Sequence, residues 1–136
     1  MSVVSVVVAD HSEPWRSLIF LILKENRNLQ IIGVASDGRE AVQKAEKLQP
    51  ELIVMDLNLP NLNGIDAARQ IRRVAPQCKI LFLSRESDPD VAHAALREGA
   101  RGYVLKLDLV RDLATAVESV IQGKQFVSYE LAGFRL

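Results

Sequence analysis

The chain is poor in several things, and each shortage removes a class of protein. Cys78 is the only cysteine among 136 residues, so no internal disulfide forms and a reducing, cytoplasmic setting suits it. Basic and acidic residues number 17 each, leaving no net charge. That balance argues against this chain by itself gripping a nucleic-acid backbone, which needs a clustered basic face. No apolar run approaches the roughly 20 residues needed to span a bilayer, so no membrane partner is expected. The apolar opening Met1–Ala9 is short and has no basic leader, unlike a signal peptide. Aromatics make up only 5%, and there is no internal repeat or low-complexity segment. What is present is an ordinary globular mix, 49% apolar and 25% charged. At this length one domain is expected, burying roughly 68–70% of its unfolded surface without a staple.

The apolar residues fall into alternating patterns. Val3–Ala9 is a β-branched run that reads as a strand buried on both faces. Ser12 then offers a helix cap, with Pro14 in the first turn and Trp15, Leu18, Ile19 and Ile22 at helical spacing. Leu29–Ala35 reads as a second strand, and Gly38 opens a helix that stops near Pro50. Leu52–Met55 is a third strand ending on Asp56, followed by an Asn/Pro/Gly loop and a helix carrying Ile65, Ala68 and Ile71. Lys79–Leu83 leads to Ser84, and Asp88-Pro89 caps a helix closed by Gly99. Gly102–Leu105 ends on Lys106, and Leu109–Ile121 is the clearest amphipathic helix. No period is legible in 126–136. Five strand–helix alternations predict an α/β fold: a doubly wound parallel sheet with helices on both faces and right-handed crossovers.

Sites in such sheets lie at the carboxyl ends of strands, beside the point where the winding reverses. Asp10 and His11, Asp56, Ser84 and Lys106 all fall there. Each alone has a plain structural use: a strand-end Asp makes turns or caps, a Ser makes turns, and a Lys snorkels. Together their chemistry is coherent. Two nearby carboxylates suit a hard cation such as Mg²⁺, which takes one or two carboxylates, waters and a phosphate oxygen. A carboxylate also serves as a nucleophile, forming an aspartyl phosphate. Lys106 supplies charge and Ser84 a hydroxyl for a transferring phosphoryl group.

At these residues the chain resembles the response regulator receiver domains of two-component signalling. The resemblance rests on Asp10, on Asp56 in IVMDLNLPNLNG with Pro60 and Gly64 at spacings of four and eight, and on Ser84, Tyr103 and Lys106. It implies a flavodoxin-like fold over residues 1–125, with five strands in the order 2-1-3-4-5 and five helices. It implies that Asp56 accepts a phosphoryl group from a sensor histidine kinase. Asp10, Asp56 and the backbone carbonyl of Asn58 would hold Mg²⁺. Lys106 would contact the phosphoryl group, Ser84 would move toward it, and Tyr103 would turn inward as the aromatic switch. The surface from Asp88 to Ile121 would be the output face. GYVLK followed by LVRDLATAVESVIQGKQFVS is similar to the NarL/FixJ type, in which a linker leads to a helix-turn-helix DNA-binding domain. Residues 126–136 are accordingly expected to begin a linker or tail, with DNA engaged only through a domain that this chain does not contain. The chain itself is expected to be no enzyme beyond its own phosphorylation and dephosphorylation.

Three positions depart from the family pattern. His11 stands where a second metal-binding acid is usual, and imidazole is a poor Mg²⁺ ligand. Arg85 follows Ser84 where a small residue is usual, and Leu107 follows Lys106 in place of proline. One reading is that fixed cations partly replace the metal, with Arg85 paired to Asp56. The other is that Arg85 points to solvent and His11 is a tolerated change. The resemblance implies that Asn58 and Glu86 flank the water that hydrolyses the acyl phosphate, and their polar side chains predict a short-lived phosphorylated form.

Other classes fit less well. A haloacid-dehalogenase-type phosphatase wants an acid where Asn58 stands. A cofactor-binding flavodoxin-like domain wants a Gly/Ser/Thr-rich phosphate loop, and DHSEPW is not one. A pseudo-receiver, acting as a phosphorylation-independent interaction or dimerisation module, keeps the fold and loses the chemistry. Leu18–Leu23 and the last helix could also serve homodimer contact, but core packing is the preferred reading of these residues.

Overall fold

The computed structural model describes residues 3–128. In chain order it contains β1 (Val4–Ala9), α1 (Glu13–Leu23), β2 (Leu29–Ala35), α2 (Gly38–Leu48), β3 (Leu52–Asp56) and α3 (Gly64–Val74). There follow β4 (Lys79–Ser84), α4 (Pro89–Arg97), β5 (Gly102–Leu105), a 3-10 turn (Lys106–Asp108), α5 (Leu109–Ile121) and β6 (Phe126–Val127). Four helices begin on side-chain caps. Ser12, Asp37, Asn63 and Asp88 each accept a backbone N–H from the first turn that follows, satisfying a donor that the helix cannot.

All strands are parallel, in the order β2-β1-β3-β4-β5-β6. The expectation of five strands is corrected to six. Phe126–Val127 adds a short edge strand to β5, pairing with Gly102 and Tyr103. A two-residue strand has no periodicity to read. It is held by backbone bonds from Phe126 to Arg101 and from Ser128 to Tyr103, at 3.1 and 3.0 Å. The Ser128 hydroxyl accepts the Leu105 N–H at 2.9 Å and donates to Asp112 on α5. Of the segment expected to start a linker, residues 129–136 lie outside the described residues.

Side chains alternate across the sheet and build two cores. Val7, Ile53, Phe82 and Tyr103 face α2, α3 and α4, which contribute mainly alanines (Ala41, Ala45, Ala67, Ala68, Ala92 and Ala95). Val6, Val8, Val54, Leu83 and Val104 face α1 and α5, with Ile19, Leu23, Leu113 and Val117. Each large aliphatic fully buried in this way favours folding by about 1.5–3 kcal/mol. Of the α1 residues offered for dimer contact, Ile19 and Leu23 are core, while Leu21 is exposed. Arg69 and Arg72 on α3 are exposed yet bridge to α4. Arg69 pairs with the Glu98 carboxylate at 3.0 Å, and Arg72 donates to the Glu98 carbonyl at 3.0 Å.

The winding reverses between β1 and β3, which are neighbours, with Ala9 opposite Met55. Asp10 and Asp56 therefore emerge side by side. Farther along the same edge, Asp56 lies opposite Leu83 and Ser84 opposite Leu105, so Lys106 leaves β5 toward the same end. The loop after Asp56 is closed by Gly64, whose N–H donates to the Leu57 carbonyl at 2.8 Å. A Cβ on Gly64 would stand 2.7 Å from that carbonyl oxygen, against backbone that cannot yield. The glycine eight residues beyond Asp56 is thus required by close approach.

Candidate functional site

Asp10 ends β1 almost wholly buried, at 1% exposure. Its Oδ1 accepts the Ser12 N–H at 2.8 Å, an Asx turn that leads the chain into α1. The backbone carbonyl of Asp10 accepts a bond of 2.6 Å from the guanidinium of Arg16, in the first turn of α1. Its Oδ2 accepts no well-aligned hydrogen bond among the described residues. Its charge is met instead by the Lys106 ammonium, 2.8 Å away.

Asp56 ends β3, with its Oδ1 accepting the Asn58 N–H at 3.3 Å and its Oδ2 lying 3.4 Å from the same ammonium. Burial raises the Asp56 carboxyl above its usual range. The Asp10 charge adds to this, while the Lys106 charge and the Asn58 N–H oppose it. Lys106 is itself 95% covered, its side chain having 5% exposure. The Trp15 ring lies beneath the ammonium, with 4.7 Å between Nζ and the ring centroid. These groups surround an open cleft of about 230 Å³ lined by Asp10, His11, Ser12, Trp15, Asp56, Asn58, Arg85 and Lys106.

Six of the site residues expected from sequence thus converge: Asp10, His11, Asp56, Asn58, Arg85 and Lys106. Ser84, Glu86 and Tyr103 form a second cluster beside it. Ser84 is fully buried, and its hydroxyl accepts the Glu86 N–H at 2.9 Å. Tyr103 is also fully buried, turned inward, and its hydroxyl donates to the Glu86 carbonyl at 2.8 Å. Burial raises the Tyr103 phenol above its ordinary range, and the Ser84 hydroxyl beside it opposes that rise.

Of the two readings of Arg85, the pairing with Asp56 is not seen and the solvent-facing one is. Among the described residues the cation of Asp56 is Lys106, and Arg85 lies exposed on the cleft rim. An exposed guanidinium keeps its hydration, whereas the lysine is fixed by burial. His11 is likewise exposed. Leu107, in the slot of the absent proline, is 91% exposed, and no peptide bond among the described residues is cis. The sequence reading missed Trp15 and Arg16 as parts of the site. Their signal was available, because the first turn of a helix starting at a strand end faces the same edge as the strand-end residues.

Oxygen donors for a hard cation are present. Asp10 Oδ2 has unused lone pairs, the Asp56 carboxylate is adjacent, and the Asn58 carbonyl accepts no hydrogen bond from the described residues. This fits Mg²⁺, which needs only one or two carboxylates and keeps several waters. Among the described residues no cluster of three or more His, Cys, Asp or Glu has metal-holding geometry, so water would fill more of the shell than in a three-acid site.

Parallel α/β topology, paired strand-end acids and a buried lysine between them define a receiver domain. The chain belongs to the response regulator receiver domain family, whose model matches residues 6–118. It is 31% identical over 128 residues to the response regulator protein VraR of Staphylococcus aureus, covering 94% of this chain and 61% of that protein. Among solved structures it resembles a LuxR-family two-component response regulator from an Aurantimonas species. There the TM-score is 0.90 at 27% identity, over 96% of this chain and 94% of that one. It also resembles the response regulator domain of Thermotoga maritima CheB, with a TM-score of 0.79 at 32% identity over 89% and 95% of the two chains.

Proposed function

We propose that this receiver domain accepts a phosphoryl group on Asp56 from a sensor histidine kinase and serves as the regulatory part of a DNA-binding transcriptional response regulator in the cytoplasm. The observation that carries this reading is the Lys106 ammonium held 2.8 and 3.4 Å from Asp10 and Asp56 at the mouth of an open cleft. In the transfer, an Asp56 carboxylate oxygen forms a bond to phosphorus while the P–N bond of a phosphohistidine breaks. The leaving imidazole takes the electron pair. Lys106 neutralises charge that otherwise resists a second anion beside Asp10. Asp10, Asp56 and the Asn58 carbonyl would hold Mg²⁺, which when bound neutralises phosphoryl oxygens. Ser84 and Tyr103 would read the modification, since both meet at Glu86 and the start of the β4–α4 loop. The chain's span of 61% of VraR is consistent with an output domain elsewhere in such regulators, through which DNA would be bound. Homodimerisation is one assembly this reading allows, and the domain has no catalytic activity beyond handling its own phosphoryl group.

The exposed His11 in place of a convergent acid favours a second reading, a phosphorylation-independent interaction module. One experiment separates the two. The chain is incubated with acetyl phosphate and Mg²⁺ and examined by intact mass, beside Asp56→Asn. One added phosphoryl group on the wild type and none on the variant is expected. A folded wild type that takes none supports the interaction module.

A further inference from the structure

Lysine is a flexible cation, and four rotatable bonds separate its ammonium from the backbone. At a site where one ammonium must serve two carboxylates, its position is a design problem. Asp10 approaches it closely, at 2.8 Å, but Asp56 lies 3.4 Å away, beyond ordinary hydrogen-bond length. The two acids alone would draw the amine toward Asp10. The third group touching it is the Trp15 indole, its centroid 4.7 Å from Nζ, inside the range of about 6 Å for cation–π attraction.

The backbone of Trp15 is held by its neighbours, and its half-buried ring packs against the core shared by α1 and α5. The residue sits in the first turn of α1, which Ser12 caps by accepting the Trp15 N–H. The turn leading into that helix is pinned by the Asp10–Ser12 bond, and the next residue, Arg16, is tied to the Asp10 carbonyl. Strand end, helix start and ring therefore form one unit around the amine.

We propose that Trp15 is a positioning residue for phosphoryl transfer: its ring face holds the Lys106 ammonium between Asp10 and Asp56 and keeps water from its far side. The role in transfer rests on the phosphoacceptor reading of Asp56. A ring face attracts a cation over a wide range of positions, without a fixed hydrogen-bond direction. The amine can thus follow the negative charge from the carboxylate onto an incoming phosphoryl oxygen while staying in contact with the ring.

The test compares wild type, Trp15→Phe and Trp15→Leu. Phe keeps a π face, whereas Leu keeps apolar bulk without one. Two quantities are measured on each: the rate of Asp56 phosphorylation by acetyl phosphate with Mg²⁺, and the NMR shifts of the Lys106 side-chain methylenes, which a ring face displaces. Thermal melts check that each variant is folded. Expected is a roughly three- to tenfold slower rate for Leu, substantial recovery for Phe, and ring-displaced Lys106 signals in wild type and Phe only. Wild-type rates in a folded Leu variant overturn the proposal, whatever the signals do. So does a slower rate with unchanged Lys106 signals, which would make Trp15 mere packing, or a Phe variant as slow as Leu. If the wild type takes no phosphoryl group, the phosphoacceptor reading fails and the role in transfer fails with it. The Lys106 signals then still decide whether the ring holds the amine.

Discussion

Asp56 carries a cost that the rest of the domain must cover. Its carboxyl sits above the usual range because burial and the neighbouring Asp10 disfavour its charge more than Lys106 and Asn58 favour it. A carboxyl raised in the folded state helps folding while protonated. That help is greatest below the ordinary carboxylate range, near about pH 3.9, and is lost as pH rises through the folded-state value. At neutral pH the ionised group therefore opposes folding. Asp56→Asn is expected to raise the melting temperature at pH 7. The gain should shrink as the melts are repeated toward pH 4, and a variant less stable than wild type at pH 7 would contradict this. Asp10, Asp56 and Lys106 were legible in the sequence because strand ends can be read from apolar runs and topology brings them together. Which cation serves Asp56 was not legible, since Lys106 and Arg85 both follow strand ends at this edge. Burial decided it.

Among the elements, the five longer strands and five helices were legible because each repeats its period over several residues or carries a cap. The strand β6 was not. What holds it is polar and long-range: Ser128 bonds the Leu105 N–H, while Asp112 receives both the Ser128 hydroxyl and the Arg111 guanidinium. These partners lie 23 and 16 positions away in sequence, out of reach of any periodicity. The bond to Leu105 is buried and falls on the residue before Lys106, so the chain after α5 is fastened next to the site. Ser128→Ala leaves the Leu105 N–H without its acceptor, at an expected cost of about 1–3 kcal/mol in urea unfolding. Faster hydrogen exchange at the Leu105 amide should accompany it. Unchanged exchange there would mean that another group takes over the bond.

At the scale of the molecule, one residue reports on the integrity of the whole. Cys78 leads into β4 in the middle of the sheet, and burial pushes its thiol up to about 12. The thiolate is the reactive form, so alkylation of the folded protein at pH 8 should be very slow. Its rate should rise with urea in step with global unfolding, as expected for a central strand. Rapid labelling at zero urea, with the circular dichroism unchanged, would show a local opening at the start of β4. The doubly wound architecture was legible from the alternation of elements alone. The sidedness of the core was not: small alanines line the face toward α2, α3 and α4 and larger aliphatics the other, a division that becomes visible only once the strands are paired.

The short strand β6 also has a meaning for life at high protein concentration. A parallel sheet that ended on β5 would offer free donors and acceptors along Gly102–Leu105, beside the residues that form the cleft. Phe126 and Val127 pair with Gly102 and Tyr103, and the Ser128 hydroxyl takes the Leu105 donor. An unpaired strand edge is a template for joining another chain. A version of this domain clipped before Phe126 would keep every residue of the cleft around Asp10, Asp56 and Lys106 and lose the cover over its sheet edge. Its hazard would be self-association rather than silence.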